Sequence, residues 1–264
     1  MKYPGRIIKQ GESDASIVAA LKTKLNEMMG ITNDPEQRLD PANPTFGPRM
    51  KALVKLFQTR HVDTTGRPLK ADGEVGSLTW EALFGPKSVP TSTKPAGSYL
   101  ARVLEIAAGE EAKKVRERPR NSNKGPEVSE YLRRTGVPPG LAWCCAFIYW
   151  SFDEAAKAMD RDNPMFKTAG CLNHWNNAER AGARRIKKSQ AVNDTSLVRT
   201  GQIFIMDFGG GKGHTGLIER VDGGMITTIE GNTDASRTRE GGGVYRLTRK
   251  IVEVNKGFVD YGGM

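Results

Sequence analysis

Trp143-Cys144-Cys145-Ala146-Phe147 opens an amphipathic run that extends to about Met159. Val137-Pro138-Pro139-Gly140 stands just before it, and the run itself has helical spacing and no breaker. A thiol therefore falls in the first turn of an expected helix. The unpaired N–H groups and the positive dipole end of a helix start favour a thiolate over a thiol. A cysteine so placed is a candidate nucleophile if a histidine can reach it. The competing reading is a small buried hydrophobe, a common fate of a free cysteine. Helix geometry does not choose between Cys144 and Cys145, whose side chains point about 100° apart.

Downstream the pattern changes to period two. Gln202-Ile203-Phe204-Ile205-Met206 reads as a strand. A glycine-rich loop, 209–213, leads to His214-Thr215-Gly216-Leu217-Ile218-Glu219-Arg220-Val221 and, after Asp222-Gly223-Gly224, to Met225 through Asn232. Residues 243–247 and 256–259 add two further expected strands. Helices followed by consecutive strands argue an α+β unit with an antiparallel sheet. A three-residue loop at 222–224 would set His214 across from Asn232, with His214, Glu230 and Asn232 on one face. A two-residue loop would put His214 opposite Gly231 and split the set. A histidine beside a carboxylate and an amide is the arrangement a thiol's base needs, one ring nitrogen held and the other free. His61 and His174 lack such company; His174 reads as a helix-surface residue, and Cys171 as a buried one.

Upstream, Ser13 and Asp14 are candidate N-caps for a helix carrying Ile17, Val18, Leu21, Leu25 and Met28, ended by Gly30. A second helix begins near Pro48, in the first turn where proline is tolerated. A third runs 77–84. Both are entered by an apolar residue and a glycine, Phe46-Gly47 and Val75-Gly76, so one helical unit is used twice. Residues 1–12 read as an N-terminal tail or a docking strand. Residues 86–97, rich in Pro, Ser and Thr, read as a linker. The expected domains are 13–85 and 98–264.

Two families are resembled. Leu53-x-x-Leu56-Phe57-Gln58 followed by Asp72-Gly73-x-Val75-Gly76-x-x-Thr79 looks like the three-helix peptidoglycan-binding (type 1) domain over residues 13–85. The resemblance implies ligand contacts at Asp72, Gly73 and Thr79, although Asp72 and Thr79 would also cap and turn in any fold. The loop before Phe46 is longer than the family's. Trp-Cys-x-x-Phe, the strand at 202–206, Gly-His-x-Gly-Leu-Ile and Ile-Glu-Gly-Asn, in that order, resemble the CHAP family of cysteine- and histidine-dependent amidohydrolases/peptidases, with a papain-like core, over roughly 98–262. Glu110-Glu111, residues 121–126 and Val128-x-x-Tyr131-Leu132 match its upstream segment. Carried over by position, the nucleophile falls on Cys144 and the base on His214. Glu230 and Asn232 orient and polarise the base, and Trp143 falls at the substrate. Cys145 stands where a small residue is usual, and Gln202 where Asp is common. No acidic calcium loop precedes Trp143, so no metal and no cofactor are expected.

The resemblances imply a peptidoglycan hydrolase cutting the N-acetylmuramoyl-L-alanine amide or a stem-peptide bond. The 264 residues carry a net charge of +10, which suits an anionic partner such as a wall polymer or an outer-membrane surface. The basic residues are scattered and lack interleaved aromatics, which argues against nucleic acid. Three cysteines, two adjacent, make no disulfide framework. No apolar run nears the roughly 20 residues of a membrane span. No secretory signal opens the chain, so release by a holin from a host cytoplasm is expected, as for a monomeric phage endolysin. A wall-targeting bacterial toxin or effector with the same chemistry is the alternative, and a non-catalytic wall-binding protein is another.

Overall fold

Asp14 starts the first helix, its carboxylate accepting the backbone N–H groups of Ser16 and Ile17. The structure, a computed structural model, describes residues 1–238 and 241–264. Helix α1 (Ala15–Met28), α2 (Pro48–Arg60) and α3 (Ser77–Phe84) build the first of two compact units, Met1–Pro90 with Val192–Ser196 and Asp222–Gly224. Its core joins Val18, Leu21 and Leu25 of α1 to Met50, Val54 and Phe57 of α2 and to Trp80 and Leu83 of α3. Gln58 organises the turn before α3. Its amide donates to Asp72 Oδ1 at 3.2 Å, to the Glu74 carbonyl at 2.8 Å and to Thr79 Oγ1 at 3.1 Å, while its carbonyl accepts the Gly73 N–H at 2.9 Å.

Of the two readings of the first twelve residues, the structure takes the docked one over the tail. Tyr3 and Ile8 are buried in this core, and Ile8 and Val75 exchange both backbone hydrogen bonds, at 3.1 and 2.7 Å. Two apolar side chains in a polar stretch suffice to dock it. Residues 86–97 are also structured. Val89 packs into the first unit's core. Thr91–Ser92 forms a short strand β1, and Thr200 Oγ1 donates to the Ser92 carbonyl at 2.8 Å.

The second unit comprises Thr91–Ala191, Leu197–Val221 and Met225–Met264. Its helices are α4 (Gly97–Ala112), α5 (Pro126–Arg134), α6 (Cys144–Ala158) and α7 (Cys171–Asn177); α8 (Lys188–Asn193) runs across the boundary. After β1 come β2 (Arg184–Lys187), β3 (Ile203–Gly209), β4 (Lys212–Asp222), β5 (Met225–Thr233), β6 (Gly243–Lys250) and β7 (Gly257–Asp260). The sheet runs β2-β7-β3-β4-β5-β6, with β1 also on β4. Among the described residues this makes eight α-helices and seven strands, the α+β architecture expected. Strand β2 escaped sequence reading because only Ile186 is buried among Arg184, Arg185 and Lys187. That charge pattern is one that protects a sheet edge, where β2 lies.

Helix α6 is buried along most of its length and packs on β5. The contact is possible because residue 231 is glycine. A Cβ there would come within 2.7 Å of the Trp143 ring and 2.9 Å of Phe147. Gly216 on β4 works likewise, since a Cβ would meet the Glu230 and Phe204 side chains at 2.6 and 2.7 Å. The glycines of the His-x-Gly and Glu-Gly-Asn motifs thus let the strands and α6 approach closely enough to bring the motif side chains together.

Candidate active site

Cys144 is the first residue of α6, whose N-cap, Trp143, offers no side-chain cap to the first-turn N–H groups. The Cys145 N–H donates to the Cys144 sulfur. Cys145, one residue on, is fully buried and its thiol donates to the Thr168 carbonyl at 3.6 Å. The two thiols are thereby told apart: Cys145 belongs to the core and Cys144 to the helix mouth.

His214 lies on β4, paired with Met206 of β3. Its Nε2 stands 2.7 Å from Glu230 Oε2. The strand bounds leave a two-residue turn, Gly223-Gly224, in place of the three-residue loop considered above. His214 and Glu230 nevertheless share a face, as their contact shows, so turn length alone was a poor guide to the pairing of side chains. Arg249 on β6 donates to both Glu230 oxygens, Nε to Oε1 and a terminal nitrogen to Oε2, each at 2.6 Å. Thr228 Oγ1 donates to Oε1 at 2.5 Å. Burial alone would raise the Glu230 carboxyl. The Arg249 fork, and after it His214, outweigh that effect and hold it at about 2. Glu230 is therefore ionised and only accepts hydrogen bonds. His214 therefore donates from Nε2 to that carboxylate, which in the neutral ring leaves the lone pair on Nδ1. That Nδ1 is buried and, among the described residues, has no hydrogen-bond partner.

Three expectations change here. Cys144 is not a resting thiolate. Its thiol shares a hydrogen bond with the thiol of Cys171, the first residue of α7, and that bond, followed by burial, pushes its pKa well above the ordinary thiol value. The Cys171 sulfur lies against the residue before the histidine, for a Cβ on Gly213 would come within 2.6 Å of it. Asn232 does not orient His214. Both of its amide atoms are buried without a partner among the described residues. The β5–β6 register shifts between Glu230 and Thr233, and Asn232 takes a left-handed backbone (φ 57°), which turns its side chain out of the strand's alternation. Trp143 is not a surface contact for substrate. It is completely buried, and its indole N–H donates to Glu117 Oε1 at 2.8 Å.

His174 is likewise buried rather than on a helix surface. Its Nε2 pairs with the Tyr261 hydroxyl at 2.9 Å, and burial lowers its pKa to about 4. His61 stacks on Phe57 at 3.9 Å. In the first unit, the polar groups of Asp72, Gly73 and Thr79 serve the Gln58 turn. A pocket of about 440 Å³ lies elsewhere, beside the long loop, lined by Lys22, Arg38 and Arg49 among others. Arg249 was missed by sequence reading. The available signal was the alternation Tyr245-x-Leu247-x-Arg249, which shares a face with Glu230 and Thr228 through the pairs Glu230–Tyr245 and Thr228–Leu247.

Comparison with known proteins agrees with this geometry in one respect. Neither curated proteins nor solved structures gave a match. The CHAP domain family model matches residues 136–232, a span that runs from just before α6 to Asn232 and contains Cys144, His214 and Glu230. Residues 136–232 match a CHAP domain, a family whose general chemistry is that of cysteine- and histidine-dependent peptidoglycan amidases and peptidases.

Proposed function

We propose that this chain hydrolyses an amide of the bacterial cell wall, the N-acetylmuramoyl-L-alanine bond or one within the stem peptide, with Cys144 as nucleophile and His214 as base. The observation that carries the reading is the His214 ring. Its Nε2 is held by an ionised Glu230, itself clamped by Arg249, while Nδ1 is bare. A base so fixed has one tautomer and one free lone pair.

The steps follow from that arrangement. The Cys144 thiol leaves Cys171 and gives its proton to His214 Nδ1. The sulfur attacks the substrate carbonyl carbon. The oxyanion is met by N–H groups of the uncapped α6 start, including that of Cys144. His214 then protonates the leaving amine, and water releases the acyl enzyme. Glu230 and Arg249 are positioning residues throughout.

The first unit would hold the enzyme on the polymer and raise the local concentration of the second. A helical wall-binding unit joined to a lytic one fits a phage endolysin, and the basic charge fits an anionic wall. Digestion of purified peptidoglycan, followed by mass spectrometry of the new termini, tests the reading. A free L-alanine amine, or a free amine within the stem, is expected. Unchanged peptidoglycan, or cleavage at a glycosidic bond, would overturn it.

A further inference from the structure

A pocket of about 490 Å³ that the mechanism above does not use is tied by one hydrogen bond to Trp143, the residue before Cys144. Glu117 forms part of its lining. This side chain is almost wholly buried. Its Oε1 accepts the Trp143 indole N–H, one residue from Cys144, but its Oε2 is buried with no donor among the described residues. The bare oxygen lies close to Gly242, also in the lining, where a Cβ would come within 3.2 Å of it. Leaving a buried carboxylate oxygen unpaired is costly, so the position favours a ligand that brings an N–H.

The opposite charge stands in the same pocket. Arg116 is fixed by the Val115 and Val244 carbonyls at 2.7 and 2.9 Å and lies over the Tyr245 ring at 3.9 Å. Arg120 is exposed, next to Asp234. The Asp234 oxygens already accept from Ser236 and Thr238, which leaves Arg120 able to meet a further anion.

We propose that this pocket binds a free amino-acid end, an ammonium and a carboxylate on one carbon, carried by the substrate's stem peptide. The ammonium donates to Glu117 Oε2 and the carboxylate accepts from Arg120. The inference rests on the peptidoglycan reading and narrows it to stems whose third residue ends in such a group (the diaminopimelate type) over stems ending in a lone ammonium (the lysine type). A neutral or purely cationic end would leave one of the two charges unmatched.

The test separates binding from cleavage. The full-length Cys144→Ala protein is titrated calorimetrically with two soluble tripeptides that differ only at the third residue. An affinity about 10-fold or more higher for the diaminopimelate peptide is expected, the size of one charged hydrogen bond. Arg120→Ala and, separately, Glu117→Gln should collapse that ratio towards one. Glu117→Gln keeps an acceptor for Trp143, and melting curves show whether either variant stays folded. Equal affinities, no binding of either peptide, or a ratio untouched by both substitutions would overturn the pocket assignment. Lysis of whole peptidoglycan by the unmodified protein reports on the broader reading independently, so the two can fail separately.

Discussion

Arg249→Met removes the guanidinium that neutralises Glu230 and leaves a carboxylate in the interior beside His214. Breaking one partner of a buried pair costs about 3–5 kcal/mol, because the remaining charge is uncompensated. For a unit of this size each kcal/mol shifts Tm by about 2–4 °C, so a fall of roughly 6–20 °C is expected. Adding Glu230→Gln removes the stranded charge and should recover about 2 kcal/mol or more, since replacing both partners costs far less than removing one. Urea melts of the two variants and of the parent give the three free energies. The same change acts on pH dependence. Glu230 is held at about 2 by Arg249 and His214 against burial. Without Arg249 burial prevails, the carboxyl rises, and it protonates as pH falls through a higher range than before. Protonated Glu230 no longer fixes the proton on His214 Nε2, so the acid limb of the lysis profile moves to higher pH. A melt within 1 kcal/mol of the parent, a double variant as unstable as the single one, or an unmoved acid limb would refute this account.

Two further outcomes follow from buried groups. Cys171→Ala removes the hydrogen bond that does most to raise the Cys144 pKa. The pH at which iodoacetamide alkylates Cys144 should fall in the variant, and an unchanged or higher midpoint would sink the assignment of that thiol pair. His174, lowered from 6.5 to about 4 by burial, is neutral in the fold while the unfolded chain takes up a proton below pH 6.5. Stability should therefore decline as pH drops from 6.5 to 4, by up to about 3 kcal/mol from this group. His174→Gln should flatten that slope in denaturant midpoints measured across the window, and a slope identical to the parent's would contradict the burial effect.

Much of the site could be read from local pattern, and what escaped was long-range. Proline, glycine and helical spacing located the start of α6, and period-two patterning put His214 and Glu230 on successive strands while leaving their facing to the turn. Arg249 escaped because its meaning depends on β6 pairing with β5, and an arginine in an edge-like run ordinarily faces water. Cys171 escaped because α7 brings it to the site from another part of the chain. Asn232 was placed by ideal alternation, which the register shift in β5 breaks. Trp143 was read through its neighbour, whereas a residue holding a helix start against the sheet is drawn inward by the same glycine, Gly231, that lets the helix approach. The docked start of the chain depends on only Tyr3 and Ile8, too few to show a periodicity.

The central claim is that Cys144, and not Cys145, is the nucleophile served by His214. Turbidity loss of purified peptidoglycan, recorded in parallel for Cys144→Ala and Cys145→Ala with sedimentation to confirm that both still bind the wall, tests it most directly. Lysis abolished by Cys144→Ala and retained by Cys145→Ala is the predicted result. Lysis that survives Cys144→Ala, or is lost only with Cys145→Ala, would contradict it.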